Sequence, residues 1–184
     1  MSQIITRATS TDLSIRSDGR TVHGIAVPFN SPTDIRDFEG EYEESFKFGA
    51  FTRTIAERGS RVKFLAHHDS RAMPLGRATL LREDPAGLYA EFRVSETQAG
   101  DEALELIRDG ALDGFSIGFR AIRETWSRSR DVRTITEAAL LEVSAVNFPA
   151  YDPARIAGVR SKITTLTPEQ AAARLRLLQA RYQL

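Results

Sequence analysis

Gly114-Phe115-Ser116-Ile117-Gly118-Phe119 sets a serine between two glycines and runs on into a strand-like segment, Phe119-Arg120-Ala121-Ile122-Arg123. Glycine on each side removes the Cβ atoms that would crowd a substrate carbonyl approaching the hydroxyl. The string satisfies G-x-S-x-G, the pattern of the nucleophile elbow, in which a strained strand-to-helix turn exposes the serine. Two features exclude that fold. A strand rather than a helix follows Ser116, and no histidine lies beyond it, whereas the α/β-hydrolase order places its histidine last. A nucleophilic Ser116 must therefore draw its base from upstream, from His23, His67 or His68.

The 184 residues suit one domain with a real core and room for a tail. Formal net charge is zero, so neither a polyanion-binding surface nor a disordered acidic segment is indicated. Only Lys47, Lys63 and Lys162 are lysines; every other basic residue is arginine, which suits bidentate pairing with carboxylates. The absence of cysteine excludes disulfides, thiolate zinc sites and cysteine nucleophiles. The segment Met1-Ser2-Gln3-Ile4-Ile5-Thr6-Arg7 has no signal-peptide apolar core, and no run approaches membrane-spanning length. The expectation is a soluble intracellular protein without membrane contact.

Strand patterns dominate the first two thirds. Thr21 to Phe29 reads as a strand closed by Pro28, and Asn30 to Glu44 as a long polar excursion. Gly49 to Arg58 reads as a short helix stopped by Gly59, and Arg61 to His68 as a strand leading to a turn through Asp69 and Pro74. Leu75–Arg82 and Leu88–Val94 form a hairpin around Asp84-Pro85-Ala86-Gly87. Thr97 caps a helix from Gly100 to about Asp109, with Ala103, Leu104 and Ile107 on one face and Gly110 as its stop. Beyond Ser116, two strands pair across Trp126 to Asp131, the second reaching Val146. A loop through Gly158 and Ser161 then leads to Thr167-Pro168-Glu169-Gln170, a capped helix start for Ala171 to Leu184. The sum is an α+β fold: a mostly antiparallel β-sheet or barrel with a few helices, residues 1–160 forming the domain and 161–184 a helical tail.

For the base, an extended Val62 to His68 puts Val62, Phe64, Ala66 and His68 on the more apolar face and His67 beside Arg61 and Lys63. That favours His68 modestly, since a lone strand histidine is more often an ordinary satisfied residue than a base. The orienting acid has a better signal. Glu142 lies in Ala138-Ala139-Leu140-Leu141-Glu142-Val143-Ser144-Ala145-Val146, a run with no other charge. An unpaired carboxylate buried there costs several kcal/mol by order of magnitude, so a polar partner is required. A histidine serves, and so does any of the arginines; Asp113 and Glu91 are further candidates. Asp69, adjacent to His68, reads as the opener of a turn. No cofactor is implied. Neighbouring strand residues diverge, so His67-His68-Asp69 does not make a metal site, and neither a Walker sequence nor an aromatic RNA-binding ladder is present.

Four separated motifs together resemble one family. They are Tyr42-Glu43-Glu44-Ser45-Phe46-Lys47-Phe48-Gly49-Ala50-Phe51; Phe64-Leu65-Ala66-His67-His68-Asp69 leading to Pro74-Leu75-Gly76; Gly110-Ala111-Leu112-Asp113 running into Gly114-Phe115-Ser116-Ile117-Gly118-Phe119; and Leu141-Glu142-Val143-Ser144-Ala145-Val146-Asn147-Phe148-Pro149-Ala150. In order and spacing, over roughly residues 10 to 160, they look like the prohead maturation proteases of tailed bacteriophages. That family is similar in fold to the herpesvirus assemblins, serine proteases built on a β-barrel surrounded by helices.

The resemblance implies a serine endopeptidase that trims scaffold and capsid-protein extensions inside the assembling procapsid, and commonly itself. Its partners would be the major capsid protein and scaffold, and its setting the host cytoplasm, or the bacterial cytoplasm for a prophage copy. The family's histidine before aspartate falls on His68, its serine on Ser116, and the glutamate of its L-x-E-V-S motif on Glu142. The herpesvirus relatives use a second histidine at that third position, and this chain has no later histidine to offer. The alternative from another class is a non-catalytic procapsid component with the same fold, against which the intact histidine–serine pair argues. A second rival is an unrelated intracellular esterase. Subunit number and the scissile bond are not fixed by the sequence. The loop carrying Arg155, Gly158 and Arg160 is a candidate self-cleavage site, and the terminal helix a candidate docking element.

Overall fold

Alternating inward and outward side chains turn most of the described residues into strand. In the computed structural model residues 4–9, 13–37 and 40–147 are described, all of them within one compact unit. The terminal helix, the loop through Gly158 and Ser161 and the boundary at 160 lie outside the described residues. In chain order the elements are β1 (Ile5–Thr9), β2 (Ser14–Ile15), β3 (Thr21–Pro28), β4 (Thr33–Asp37), β5 (Gly40–Phe46), α1 (Thr52–Arg58), β6 (Lys63–Ala66), β7 (Gly76–Asp84), β8 (Gly87–Val94), α2 (Gln98–Asp109), β9 (Gly114–Trp126) and β10 (Val132–Val146). The strands form one sheet in the order β1-β9-β10-β6-β7-β8-β3-β2, with the β4–β5 hairpin attached through β5 to β10. The sheet curls into a half-barrel that brings β3 near β9 and β1.

The expected α+β, mostly-strand character is present, and so are the helices at α1 and α2 and the hairpins β7–β8 and β9–β10. The parallel pairings in this otherwise antiparallel sheet are made by β10. This 15-residue strand pairs antiparallel with β9 along one edge. Its other edge takes two parallel partners, β5 over Val132–Ile135 and β6 over Glu142–Ala145. The excursion expected from Asn30 to Glu44 is instead the hairpin β4–β5. Its period-two pattern is masked in the sequence because the inward positions Tyr42, Glu44 and Phe46 include a carboxylate.

Glu44 is fully buried and has two guanidinium partners. Arg7 Nε donates to Oε1 at 2.7 Å and Arg133 Nη1 to Oε2 at 3.1 Å. Arg133 also binds Glu124, and Tyr42 packs edge-on to Trp126 at 4.9 Å. Burial disfavours charge on Arg133, yet Glu124 and Glu44 outweigh it and hold the guanidinium above the ordinary arginine pKa. Burial likewise pushes Glu124 up, but Arg133 and the Trp126 indole N–H hold it below the usual carboxylate value. The cluster ties β1, β5, β9 and β10 together. Glu44→Ala is therefore expected to lower unfolding free energy by about 3–5 kcal/mol, because it removes the carboxylate that two buried guanidiniums share. Urea denaturation checks this, and a loss below about 1 kcal/mol would show the cluster to be dispensable.

The core between the curled faces is aromatic. Phe64 stacks on Phe92 at 5.0 Å, Phe115 meets both edge-on, and Phe119 meets Phe46 at 5.1 Å. Each buried Phe contributes about 1.5–3 kcal/mol. Helix α2 closes one end, with Thr97 accepting from the Gly100 N–H at 3.1 Å, Ala103, Leu104 and Ile107 buried, and Gly110 left-handed at φ 79°. No helix of the described residues is long and apolar enough to cross a membrane.

Candidate active site

On β9 the side chains alternate. Phe115, Ile117 and Phe119 enter the aromatic core, so Ser116 and Gly118 face the other way. Register then decides what stands beside them: Ser116 lies opposite Ser144 of β10 and Ala8 of β1, and Gly118 opposite Glu142.

Glu142 reaches this face through a bulge. Leu140 pairs with Phe119 and Glu142 with Gly118, so Leu141 is the extra residue. Before it Ala138 and Leu140 point into the core; after it Val143 and Ala145 do. The inserted residue shifts the alternation by one and brings Glu142 and Ser144 out to the face of Ser116.

His68 arrives from the loop after β6. The expected strand through His68 ends at Ala66, and His67 and His68 take left-handed conformations at φ 50° and 61°. Each such residue costs on the order of 1–3 kcal/mol, and the surroundings hold both in place. The His67 N–H donates to the Ala145 carbonyl at 3.1 Å, the His68 N–H to Ser144 Oγ at 3.0 Å, and the Asp69 N–H to the Ala66 carbonyl at 2.9 Å. Asp69 does open the turn, its Oδ1 accepting from the N–H groups of Arg71 and Ala72. The face assignment from strand alternation thus fails at this point. His68 is selected by a backbone reversal, and His67 is left exposed.

Three of the sequence candidates converge. His68 Nδ1 stands 2.6 Å from Glu142 Oε1, and His68 Nε2 stands 2.5 Å from Ser116 Oγ. An ionised carboxylate only accepts, so Nδ1 carries the proton, and Nε2 is left with the lone pair that accepts the Ser116 hydroxyl. Ser116 is 1% exposed, while the side chains of His68 and Glu142 are 24% and 14% exposed. The remaining candidates stand elsewhere. His23 Nδ1 meets the Tyr89 hydroxyl at 3.2 Å, Glu91 pairs with Arg16, and Asp113 is exposed just ahead of β9.

Gly118 has a use its motif does not suggest. A Cβ built there would come within 2.2 Å of Glu142 Oε1, so the missing side chain makes room for the carboxylate. Gly118→Ala is expected to displace Glu142 and lower activity about 10²–10⁴-fold, approaching loss of the acid, while the flexible carboxylate end keeps the fold near wild type. Unchanged turnover in a folded Gly118→Ala protein would show that Glu142 need not sit there. Ser144, a residue the sequence motif contains but for which no role was read, completes the cluster. Its hydroxyl donates to Glu142 Oε2 at 2.7 Å. The signal was available: Ser144 follows Glu142 by two on a strand, which puts both on one face. Among the described residues no group of His, Cys, Asp or Glu side chains is arranged to hold a metal ion.

Residues 6–168 match the family model described as Caudovirus prohead serine protease. The chain is 27% identical over 153 residues to the prohead protease of Enterobacteria phage HK97, a match covering 82% of this chain and 66% of that protein. It is 37% identical over 83 residues to the prohead protease of Escherichia phage T5, covering 45% of this chain and 38% of that one. The chain thus spans less than two thirds of the length of these relatives. The fold is similar to that of the bacteriophage T4 capsid assembly protease, with a TM-score of 0.57 at 15% identity, covering 80% of this chain and 98% of that structure.

Proposed function

From the premise that the chain belongs to the Caudovirus prohead serine protease family, we propose that it is a serine endopeptidase with Ser116 as nucleophile, His68 as general base and Glu142 as orienting acid. The observation that carries this is the unbroken hydrogen-bond chain from Glu142 Oε1 through both ring nitrogens of His68 to Ser116 Oγ. Ser116 Oγ attacks the peptide carbonyl while its proton passes to His68 Nε2, and Glu142 steadies the imidazolium. The C–N bond then breaks as Nε2 returns the proton to the leaving amine. Water repeats the sequence on the acyl-enzyme, with His68 again as base.

The substrates of this reading are scaffold and capsid-protein extensions and the chain itself, and the partners are the major capsid protein and scaffold. The setting is the procapsid assembling in the host cytoplasm. The half-barrel is read further as the herpesvirus-assemblin type of β-barrel. Burial of Ser116 accords with an enzyme that waits for an opening before it acts.

A fluorophosphonate tests the site without a known substrate. Ser116 Oγ bonds to phosphorus, fluoride leaves, and the proton passes to His68. Intact-mass spectra are expected to show one adduct on the wild type and none on Ser116→Ala. An adduct that persists in Ser116→Ala moves the nucleophile elsewhere. A wild-type protein that gains no adduct and cleaves neither itself nor a co-expressed capsid protein favours the non-catalytic procapsid role.

A further inference from the structure

We propose that Ser144 is a positioning residue that sets both the acid and the base with one hydroxyl. The inference rests on the roles proposed for Ser116, His68 and Glu142. Ser144 is fully buried on β10, and its two hydrogen bonds run in opposite senses. Its O–H donates to Glu142 Oε2 at 2.7 Å, while its oxygen accepts from the backbone N–H of His68 at 3.0 Å.

Each bond answers a specific need. A glutamate side chain has three torsions, and a single contact to His68 leaves its carboxylate free to swing about that contact. Holding Oε2 through Ser144 leaves Oε1 aimed at Nδ1. Gly118 supports the same placement from the opposite strand, since no other residue leaves space for Oε1. The second bond acts on the base. His68 is a left-handed non-glycine residue, a conformation that persists only under constraint. Its N–H, anchored to Ser144, links that backbone to the strand carrying Glu142, beside the His67 N–H on the Ala145 carbonyl. A serine two residues after the acid is therefore the shortest device that places carboxylate and imidazole in one frame. A threonine would add a methyl group to a fully buried site, and an alanine would leave the Oε2 lone pair and the His68 N–H without this partner.

Among the described residues, the charged and titratable groups placed about His68 are these. Glu142 and Ser116 contact its ring, Lys63 of β6 lies opposite Glu142 in register, and Asp69 is engaged with its own turn. The test uses Ser144→Ala and, in case alanine does not fold, Ser144→Cys, which is somewhat larger, keeps the side chain unbranched and has only a weak S–H donor. The first readout needs no substrate. The Nδ1 proton of His68, held against a carboxylate, gives a downfield ¹H NMR resonance identified by its loss in His68→Gln. That resonance is expected to vanish or move upfield in Ser144→Ala and Ser144→Cys; an unmoved resonance overturns the proposal. The second readout is the rate of fluorophosphonate labelling. It is expected to fall about 10–100-fold on loss of Ser144, the range for groups that orient a first ligand. In a Glu142→Gln background the same change is expected to cost clearly less than in the wild type, because only the anchor on the His68 N–H is then left to lose. An equal fall in both backgrounds assigns Ser144 to general packing and overturns the inference. An unlabelled wild-type protein whose NMR signal still responds to Ser144 overturns the protease reading and leaves the positioning role standing.

Discussion

Ser116→Ala is expected to reduce turnover about 10⁶-fold, equivalent to about 8 kcal/mol of transition-state stabilisation. The loss is large because no other group can inherit the attack. Ser144 is the neighbouring hydroxyl, but its proton is directed at Glu142 Oε2 and its oxygen is occupied by the His68 N–H, so it offers Nε2 nothing to deprotonate. The structural cost is small by contrast. The lost hydroxyl's partner is a partly exposed imidazole nitrogen, which can turn to water, so the thermal midpoint should stay within a few degrees. His68→Ala belongs in the same range, and His67→Ala, at an exposed position, should leave the rate near wild type. The measurement is intact mass of the purified chain, alone and co-expressed with the major capsid protein of its phage. Truncation products that form equally in Ser116→Ala, with contaminating protease excluded, would sink the assignment.

Glu142→Gln is expected to cost about 10⁴-fold, less than the nucleophile but far more than a lost surface charge. The reason is the tautomer. The Ser144 donor claims the amide oxygen, which turns the NH₂ group toward His68 Nδ1. Facing a donor, Nδ1 becomes the acceptor and Nε2 takes the proton, so the imidazole can no longer receive one from Ser116. Single-turnover rates with the fold checked by circular dichroism read this directly. A wild-type rate would move the acid to another carboxylate, with Asp113 the next to test.

The strands and turns that depend on local chemistry were legible. Thr97 and Gly110 bound their helix as caps require, the Asp84–Gly87 turn joins its hairpin, and Ser116 sits mid-strand with no elbow. Glu142 was legible for a thermodynamic reason, since a lone carboxylate in an apolar run needs a partner wherever the run goes. The β4–β5 hairpin was not, because its inward Glu44 is tolerable only beside Arg7 and Arg133, each more than 30 residues away in the chain. His68 was favoured for a reason that does not hold. Strand alternation stops at Ala66, and a backbone reversal presents the ring instead.

The sequence by itself determined the kinds of group now proposed to carry the chemistry: a serine in a strand, a histidine that must lie upstream, and a carboxylate that must find a partner. These follow from residue type, spacing and the cost of burying charge, all local properties. How His68 comes to meet Ser116 and Glu142, and what occupies the space beside the second glycine, were decided only by the tertiary structure. The Leu141 bulge flips Glu142 onto the face of Ser116, the parallel pairing of β6 with β10 brings His68 alongside, and Gly118 leaves the carboxylate its space. Cross-strand register and a one-residue insertion fix those relations, and neither is encoded in any single segment.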